Sequence, residues 1–243
     1  MPGRPALVLA NPLGCTQEIF DYQAAALGEQ YEVVRFDVRG HGGSPAPPGP
    51  YTIAALGTDL LDLLDARGVA SAAFCGVSLG GMTGLWLAAH FPERISSLVV
   101  CCTAVAPMPS RQAWLDRAAL VRVEGMAAVA PLMPARWFTP GFIERSPAMA
   151  GRVLGMLGGV DPEGYAGCCE AIADLDLQHG FSAIKAPTLV IAGDQDPAAP
   201  AWHVASYARA IPGATLRVVR GASHLAHYEA AAEVTALIRY HVG

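Results

Sequence analysis

Residues 76–80 read Gly76-Val77-Ser78-Leu79-Gly80, a serine set between two glycines. A serine hydroxyl is a weak nucleophile until a base takes its proton, and that base needs an orienting acid. The spacing suits a tight turn from a strand into a helix. Such a turn holds its central residue in an unfavourable backbone region and leaves no room for side chains two residues to either side. It would expose the Ser78 hydroxyl. It would also aim the Leu79 N–H, with the positive end of the new helix, at an oxyanion formed nearby. The pentapeptide alone is equally compatible with an incidental glycine-rich turn, so a base and an acid must be found elsewhere in the chain.

Two later segments offer them: Gly193-Asp194-Gln195-Asp196-Pro197 and Gly221-Ala222-Ser223-His224. Each follows an apolar run that reads as a strand, and the order serine, acid, histidine suits a triad assembled on the strand ends of a parallel sheet. Asp194 and Asp196 both qualify; the alternative for either is a turn carboxylate that satisfies its own backbone. His224 is preferred to His227 because the residues from Leu225 onward read as the start of the last helix. His179, His203 and His241 read as surface residues and His90 as a helix end. A second oxyanion donor is expected after the first strand, in Asn11-Pro12-Leu13-Gly14. Pro12 has no N–H, which leaves Leu13.

The elements that must carry these residues are legible as apolar runs. Strands are expected at Ala6–Ala10, Glu32–Asp37, Ala72–Val77, Ile95–Cys102, Thr188–Ala192 and Ala214–Val219. Helices are expected from a Thr16 cap to about Leu27, over Ile53–Arg67, after the elbow to Phe91, over Trp202–Ala210, and at the end to about Tyr240. Residues 107–180 break the alternation with helical segments interrupted by prolines and glycines. The expectation is an α/β fold with a mostly parallel, doubly wound sheet. Residues 1–106 and 181–243 would form the core, and 107–180 a helical cap.

The chain has 243 residues, of which 53% are hydrophobic and 15% charged, with a net charge of −5. That composition fits a large buried core and argues against a disordered chain or a nucleic-acid partner. No apolar run is long enough for a membrane helix, and the first residues lack a secretory apolar stretch. The six cysteines include two adjacent pairs and show neither zinc nor disulfide spacing. The reading is a cytoplasmic enzyme with no metal or organic cofactor.

The motifs Asn11-x-Leu13-Gly14, Asp37-x-Arg39-Gly40-His41-Gly42-x-Ser44, Gly76-x-Ser78-x-Gly80-Gly81-Met82 and Gly193-x-x-Asp196-Pro197 together resemble the α/β-hydrolase superfamily. The segments Leu9–Gly14, Phe74–Met82, Arg136–Pro140 and Asp161–Cys169 look like those of 3-oxoadipate enol-lactonases of the β-ketoadipate pathway. The resemblance implies Ser78, Asp196 and His224 as the triad and Leu13 and Leu79 as the oxyanion donors. It implies lactone hydrolysis through an acyl-enzyme, on a small substrate that carries a carboxylate. Among the cap arginines at 111, 117, 122, 136, 145 and 152, Arg136 with Trp137 lies in the family-like stretch and is the expected carboxylate partner. Trp86 reads as core packing on the elbow helix, and Asp37 and Arg39 as braces of their own loop. An aspartate would be needed at position 78 for dehalogenase or epoxide hydrolase chemistry. A broader carboxylesterase or perhydrolase, or a ligand-binding protein on the same scaffold, are the competing readings. Relatives often carry a hairpin ahead of the first strand. Here Glu32–Phe36 is expected at a sheet edge, where pairing with a second copy could occur.

Overall fold

The computed structural model describes residues 3–243. Its strands are β1 (Ala6–Ala10), β2 (Glu32–Phe36), β3 (Ala72–Val77), β4 (Ile95–Cys101), β5 (Thr188–Gly193) and β6 (Thr215–Val219). They form one parallel sheet in the order β2-β1-β3-β4-β5-β6. Every residue of β1, β3 and β5 is buried, as expected for strands covered on both faces that read as unbroken apolar runs. The two edge strands, β2 and β6, are mixed in sequence and half-exposed.

The core helices are α1 (Asp21–Leu27), α2 (Ile53–Ala66), α3 (Leu79–His90), α9 (Ala201–Ala208), α10 (Ala226–Glu229) and α11 (Ala231–Val242). Between β4 and β5 lie α4 (Arg111–Glu124), α5 (Met133–Trp137), α6 (Pro140–Arg145), α7 (Pro147–Gly155) and α8 (Pro162–Ala173). None of these helices is long and apolar enough to cross a membrane. α3 is apolar nearly all round and correspondingly buried. Trp86 closes its contact with α2, where a Cβ on Gly57 would lie 2.4 Å from the indole.

Strand order places the crevice. The chain steps from β1 outward to β2, then crosses back to β3 on the other side of β1. The loops after β1 and β3 therefore diverge at the topological switch point, where open parallel sheets bind ligands.

Three expectations are corrected. Thr16 does not cap a backbone N–H; its hydroxyl turns to the Glu18 carboxylate, and a 3-10 turn at Gln17–Phe20 precedes α1. The last helix is two pieces, because Ala230 leaves the helical region (φ −117°, ψ 48°) between α10 and α11. His203 is buried: α9 lays it against the chain after β4, where its Nε2 accepts from the Val105 N–H at 3.2 Å.

Two kinds of contact join the helices above the strand ends to each other and to the core. Arg122 on α4 pairs with Glu163 (2.7 Å) and Glu170 (2.5 Å) on α8, and Glu163 also accepts from the Gly49 N–H at 2.9 Å. The Arg122 hydrogen bonds hold the Glu163 carboxyl down at about 2, although partial exposure keeps the stabilisation small. The second contact is steric. The Gly40 and Gly164 backbones touch so closely that a Cβ on Gly164 would lie 2.3 Å from the Gly40 Cα. Gly164→Ala must push α8 off the core. We expect a loss of about 1–3 kcal/mol, a drop of several degrees in Tm, measurable by thermal melting.

Among the buried polar groups that lack a partner within the described residues, one is a histidine. His227 on α10 is fully buried, and neither ring nitrogen finds a hydrogen bond among the described residues. Burial, then the charge of His224, push its pKa down to about 3. The unfolded chain therefore takes up a proton below about 6.5 that the folded chain refuses, so stability falls as pH drops. His227→Leu should remove about 2 kcal/mol of the wild-type stability loss between pH 7 and pH 5. Paired thermal melts at those two pH values measure it.

Candidate active site

Ser78 sits between β3 and α3 at φ 52°, ψ −114°, a left-handed conformation for a residue with a side chain. Its neighbours explain how the chain accepts this. A Cβ on Gly80 would fall 2.1 Å from the Ala10 carbonyl oxygen, and one on Gly76 would fall 2.3 Å from the Gly80 backbone. The elbow is thus wedged against the end of β1. The Ser78 N–H donates to the Cys101 carbonyl at 3.0 Å, and its carbonyl accepts the Met82 N–H at 2.9 Å.

Asp196 and His224 come from the loops after β5 and β6. His224 Nδ1 donates to Asp196 Oδ2 at 2.9 Å, and both side chains are buried. The other Asp196 oxygen accepts from the Ala198 and Ala199 N–H groups at 2.7 and 3.0 Å. Burial alone would raise the Asp196 pKa. The adjacent imidazole and these hydrogen bonds outweigh it and hold the carboxyl below its ordinary value. Because Nδ1 carries the proton shared with Asp196, Nε2 is the nitrogen left to act as base. Asp194 is spent elsewhere: its carboxylate accepts the Gly221 N–H at 2.8 Å. His227 lies behind the site, packed 4.9 Å from Phe20.

Leu13, Ser78 and His224 line one cavity beneath the cap helices. The Leu13 N–H has no protein acceptor among the described residues. Leu79 is the first residue of α3, so its N–H is one of the helix's free donors. Trp137 is buried against this loop, 3.1 Å from where a Gly14 Cβ would stand.

The cap arginines sort themselves by partner. Arg111 pairs with Asp174, Arg122 with Glu163 and Glu170, and Arg152 with Asp21. Arg145 lies over the Phe142 ring, 5.3 Å from its centroid. Arg117 and Arg136 both line the cavity and make no ion pair among the described residues. They flank one indole, Trp114, at 4.9 and 5.6 Å from its centroid. Arg136 therefore stacks on Trp114 and not on its sequence neighbour Trp137. Burial, then the like charge of Arg117, lower the Arg136 pKa. Tyr165 on α8 completes this wall, its phenol pushed up by burial. Sequence reasoning named Arg117 only as one of six cap arginines and gave no role to Trp114 or Tyr165. The spacing of Trp114 and Arg117, one helical turn apart on α4, was the available signal.

The cavity is tight, about 30 Å³ measured by the centres of water-sized spheres, with Met108 and Met133 in its walls. Both are flexible side chains that can move aside for a ligand. Among the described residues no three His, Cys, Asp or Glu side chains are grouped as metal ligands would be.

Comparison with known proteins agrees with this geometry. The family model for the α/β hydrolase fold matches residues 5–231. The 3-oxoadipate enol-lactonase 2 of Acinetobacter baylyi is 44% identical over 226 residues, covering 93% of this chain and 84% of that protein. The 3-oxoadipate enol-lactonase 1 of the same organism is 38% identical over 79% of this chain and 72% of its own length. The crystal structure of the enol-lactonase from Burkholderia xenovorans superposes with a TM-score of 0.95 at 40% identity, covering 99% of this chain and 92% of that one. The chain belongs to the α/β hydrolase fold family.

Proposed function

We propose that this protein hydrolyses 3-oxoadipate enol-lactone to 3-oxoadipate, with Ser78, His224 and Asp196 as the triad. One observation carries the reading: a buried Asp196–His224 pair shares its cavity with an elbow serine and two arginines that have no acidic partner. The relatives named 3-oxoadipate enol-lactonases support the substrate.

His224 Nε2 takes the Ser78 proton as Oγ attacks the ring carbonyl. The oxyanion is received by the Leu13 and Leu79 N–H groups and the positive end of α3. Collapse breaks the ring C–O bond, and His224 returns the proton to the departing enol oxygen. An enol or enolate leaves more readily than a simple alkoxide, and its tautomerisation to the ketone makes the opening effectively irreversible. A water activated by His224 then releases the acyl group. Asp196 holds the imidazole in the tautomer this needs and stabilises the cation formed when the proton arrives.

The substrate's acetate arm is received by Arg136 and Arg117. Each guanidinium offers a planar fork to a carboxylate. Two like charges beside Trp114, with no acidic partner among the described residues, repel until an anion arrives. Trp137 shapes the floor between this wall and Leu13. Six free, buried cysteines fit our reading of a cytoplasmic enzyme in a reducing compartment.

Two measurements test the reading. Ser78→Ala should lower kcat on the enol-lactone by about 10⁴-fold or more with folding intact; near-wild-type turnover would reject the mechanism. Arg136→Ala and Arg117→Ala should each lower kcat/KM on the acidic lactone by about 10–10²-fold, the worth of one charged hydrogen bond. On a neutral aryl ester the same variants should change by less than about threefold. Equal losses on both substrates would remove the carboxylate role.

A further inference from the structure

The loop expected to supply the second oxyanion donor is held by a histidine that takes no part in the proposed chemistry. His41 lies after β2 and is fully buried. Its Nε2 accepts the Gly14 N–H at 2.9 Å, and its Nδ1 lies 2.9 Å from the Arg39 carbonyl oxygen. A carbonyl only accepts, so Nδ1 carries the proton and Nε2 presents its lone pair. The two contacts together admit a single neutral tautomer. An imidazolium would set an N–H against the Gly14 N–H. Burial, partly offset by the Arg39 carbonyl and the Asp37 charge, favours the neutral ring.

Peptide geometry shows what this bond does. In a planar trans peptide the N–H points opposite the preceding carbonyl. The Leu13 N–H is therefore aimed by the Pro12 carbonyl, which accepts from the Cys15 N–H at 3.2 Å and from Asn11 Nδ2 at 3.3 Å. The next peptide plane, Leu13–Gly14, is fixed through the Gly14 N–H, and His41 is its partner. Gly14 stands at φ +85°, where the chain turns away. Gly14 lies inside the turn that the Cys15 N–H closes onto the Pro12 carbonyl, so without an acceptor at His41 Nε2 this turn loses an anchor and the Pro12 carbonyl, with the Leu13 N–H opposite it, can shift.

The same residue touches the cap. His41 forms an isolated antiparallel bridge with Val160, and the Asp161 N–H donates to the Gly40 carbonyl at 2.7 Å. Asp161 caps α8, the helix that brings Tyr165 to the cavity wall. The oxyanion loop and the cap thus meet on one imidazole and its backbone.

We propose that His41 is a positioning residue of the oxyanion hole, holding the Leu13 N–H in register with the Ser78 hydroxyl and joining that loop to the cap. This rests on the reading of Ser78 as nucleophile and Leu13 as donor, but not on the identity of the lactone. The test therefore uses p-nitrophenyl acetate, which needs the oxyanion hole but not the arginine wall. His41→Phe keeps a ring and removes the acceptor. We expect kcat to fall by about 10²-fold with KM within about twofold. His41→Gln, whose Oε1 reaches the Nε2 position, should recover at least tenfold of that loss. An unchanged kcat in His41→Phe, a loss carried by KM, or a Gln variant no better than Phe would overturn the proposal. If His41→Phe does not fold, His41→Asn replaces it: its shorter amide cannot reach Gly14, so kcat at or above that of the Gln variant overturns the role. Wild-type protein and Ser78→Ala are run on the same ester. A wild type no faster than Ser78→Ala would defeat the nucleophile reading and this proposal with it, whereas an active wild type with an indifferent His41 defeats the proposal alone.

Discussion

The closest constraint in the molecule is the wedge of the β3–α3 elbow against the end of β1. Gly80 stands where any Cβ would strike the Ala10 carbonyl, and Gly76 where it would strike Gly80 itself. That contact holds Ser78 at a positive φ, a conformation costing of order 1–3 kcal/mol that persists only where its surroundings impose it. It also brings the β1 loop beside Ser78, where bonds from the Asn11 and His41 side chains set the rest of the turn that carries Leu13. The parallel sheet then delivers Asp196 and His224 to the same edge, since each ends a strand running in the same direction.

Polar groups in this site are satisfied in a pattern that assigns their work. Asp196 uses one oxygen on His224 and the other on two backbone N–H groups, so its charge stays put when the imidazole takes a proton. Asp37 binds the Gln17 and Gly43 N–H groups, and Arg39 pairs with Asp59, so this loop is braced before His41 reaches across to Gly14. The groups left unpaired are the informative ones. Arg117 and Arg136 face the cavity with no acidic partner among the described residues, whereas Arg111, Arg122 and Arg152 are paired with carboxylates and Arg145 lies over a ring. His227 is also unpaired, but buried behind the site against Phe20, so its lack of partners bears on stability and not on turnover.

The cap departs from the core in physical character. Several of its helices begin at prolines, and it is tied to the core by the Gly49–Glu163 bond, the Arg152–Asp21 pair and a backbone contact between Gly40 and Gly164 too close for a side chain. A segment built this way carries specificity without disturbing the sheet below it. In the proposed reading the elbow, acid and histidine would serve any ester, and the wall of Trp114, Arg117, Arg136 and Tyr165 would select among them.

The sequence by itself determined the strands, the elbow and the order of the triad. Fully buried parallel strands need unbroken apolar runs, and the serine between two glycines became informative once an acid and a histidine followed it in order at later strand ends. It also excluded an aspartate nucleophile, and the absence of an N–H on Pro12 pointed to Leu13. What depends on contacts between distant segments was decided only by the tertiary structure. Asp194 and Asp196 are equivalent along the chain; folding sends one to Gly221 and the other to His224. Six cap arginines look alike in one dimension, and only tertiary packing shows that Arg111, Arg122 and Arg152 meet carboxylates and that Arg145 lies over a ring. His203 sits in an amphipathic stretch that allows a surface position, yet the chain after β4 closes over it. The bond from Gly14 to His41 joins residues 27 apart in sequence, and no local pattern encodes it. Local periodicity records which face of an element is buried; it carries no record of which neighbour buries it.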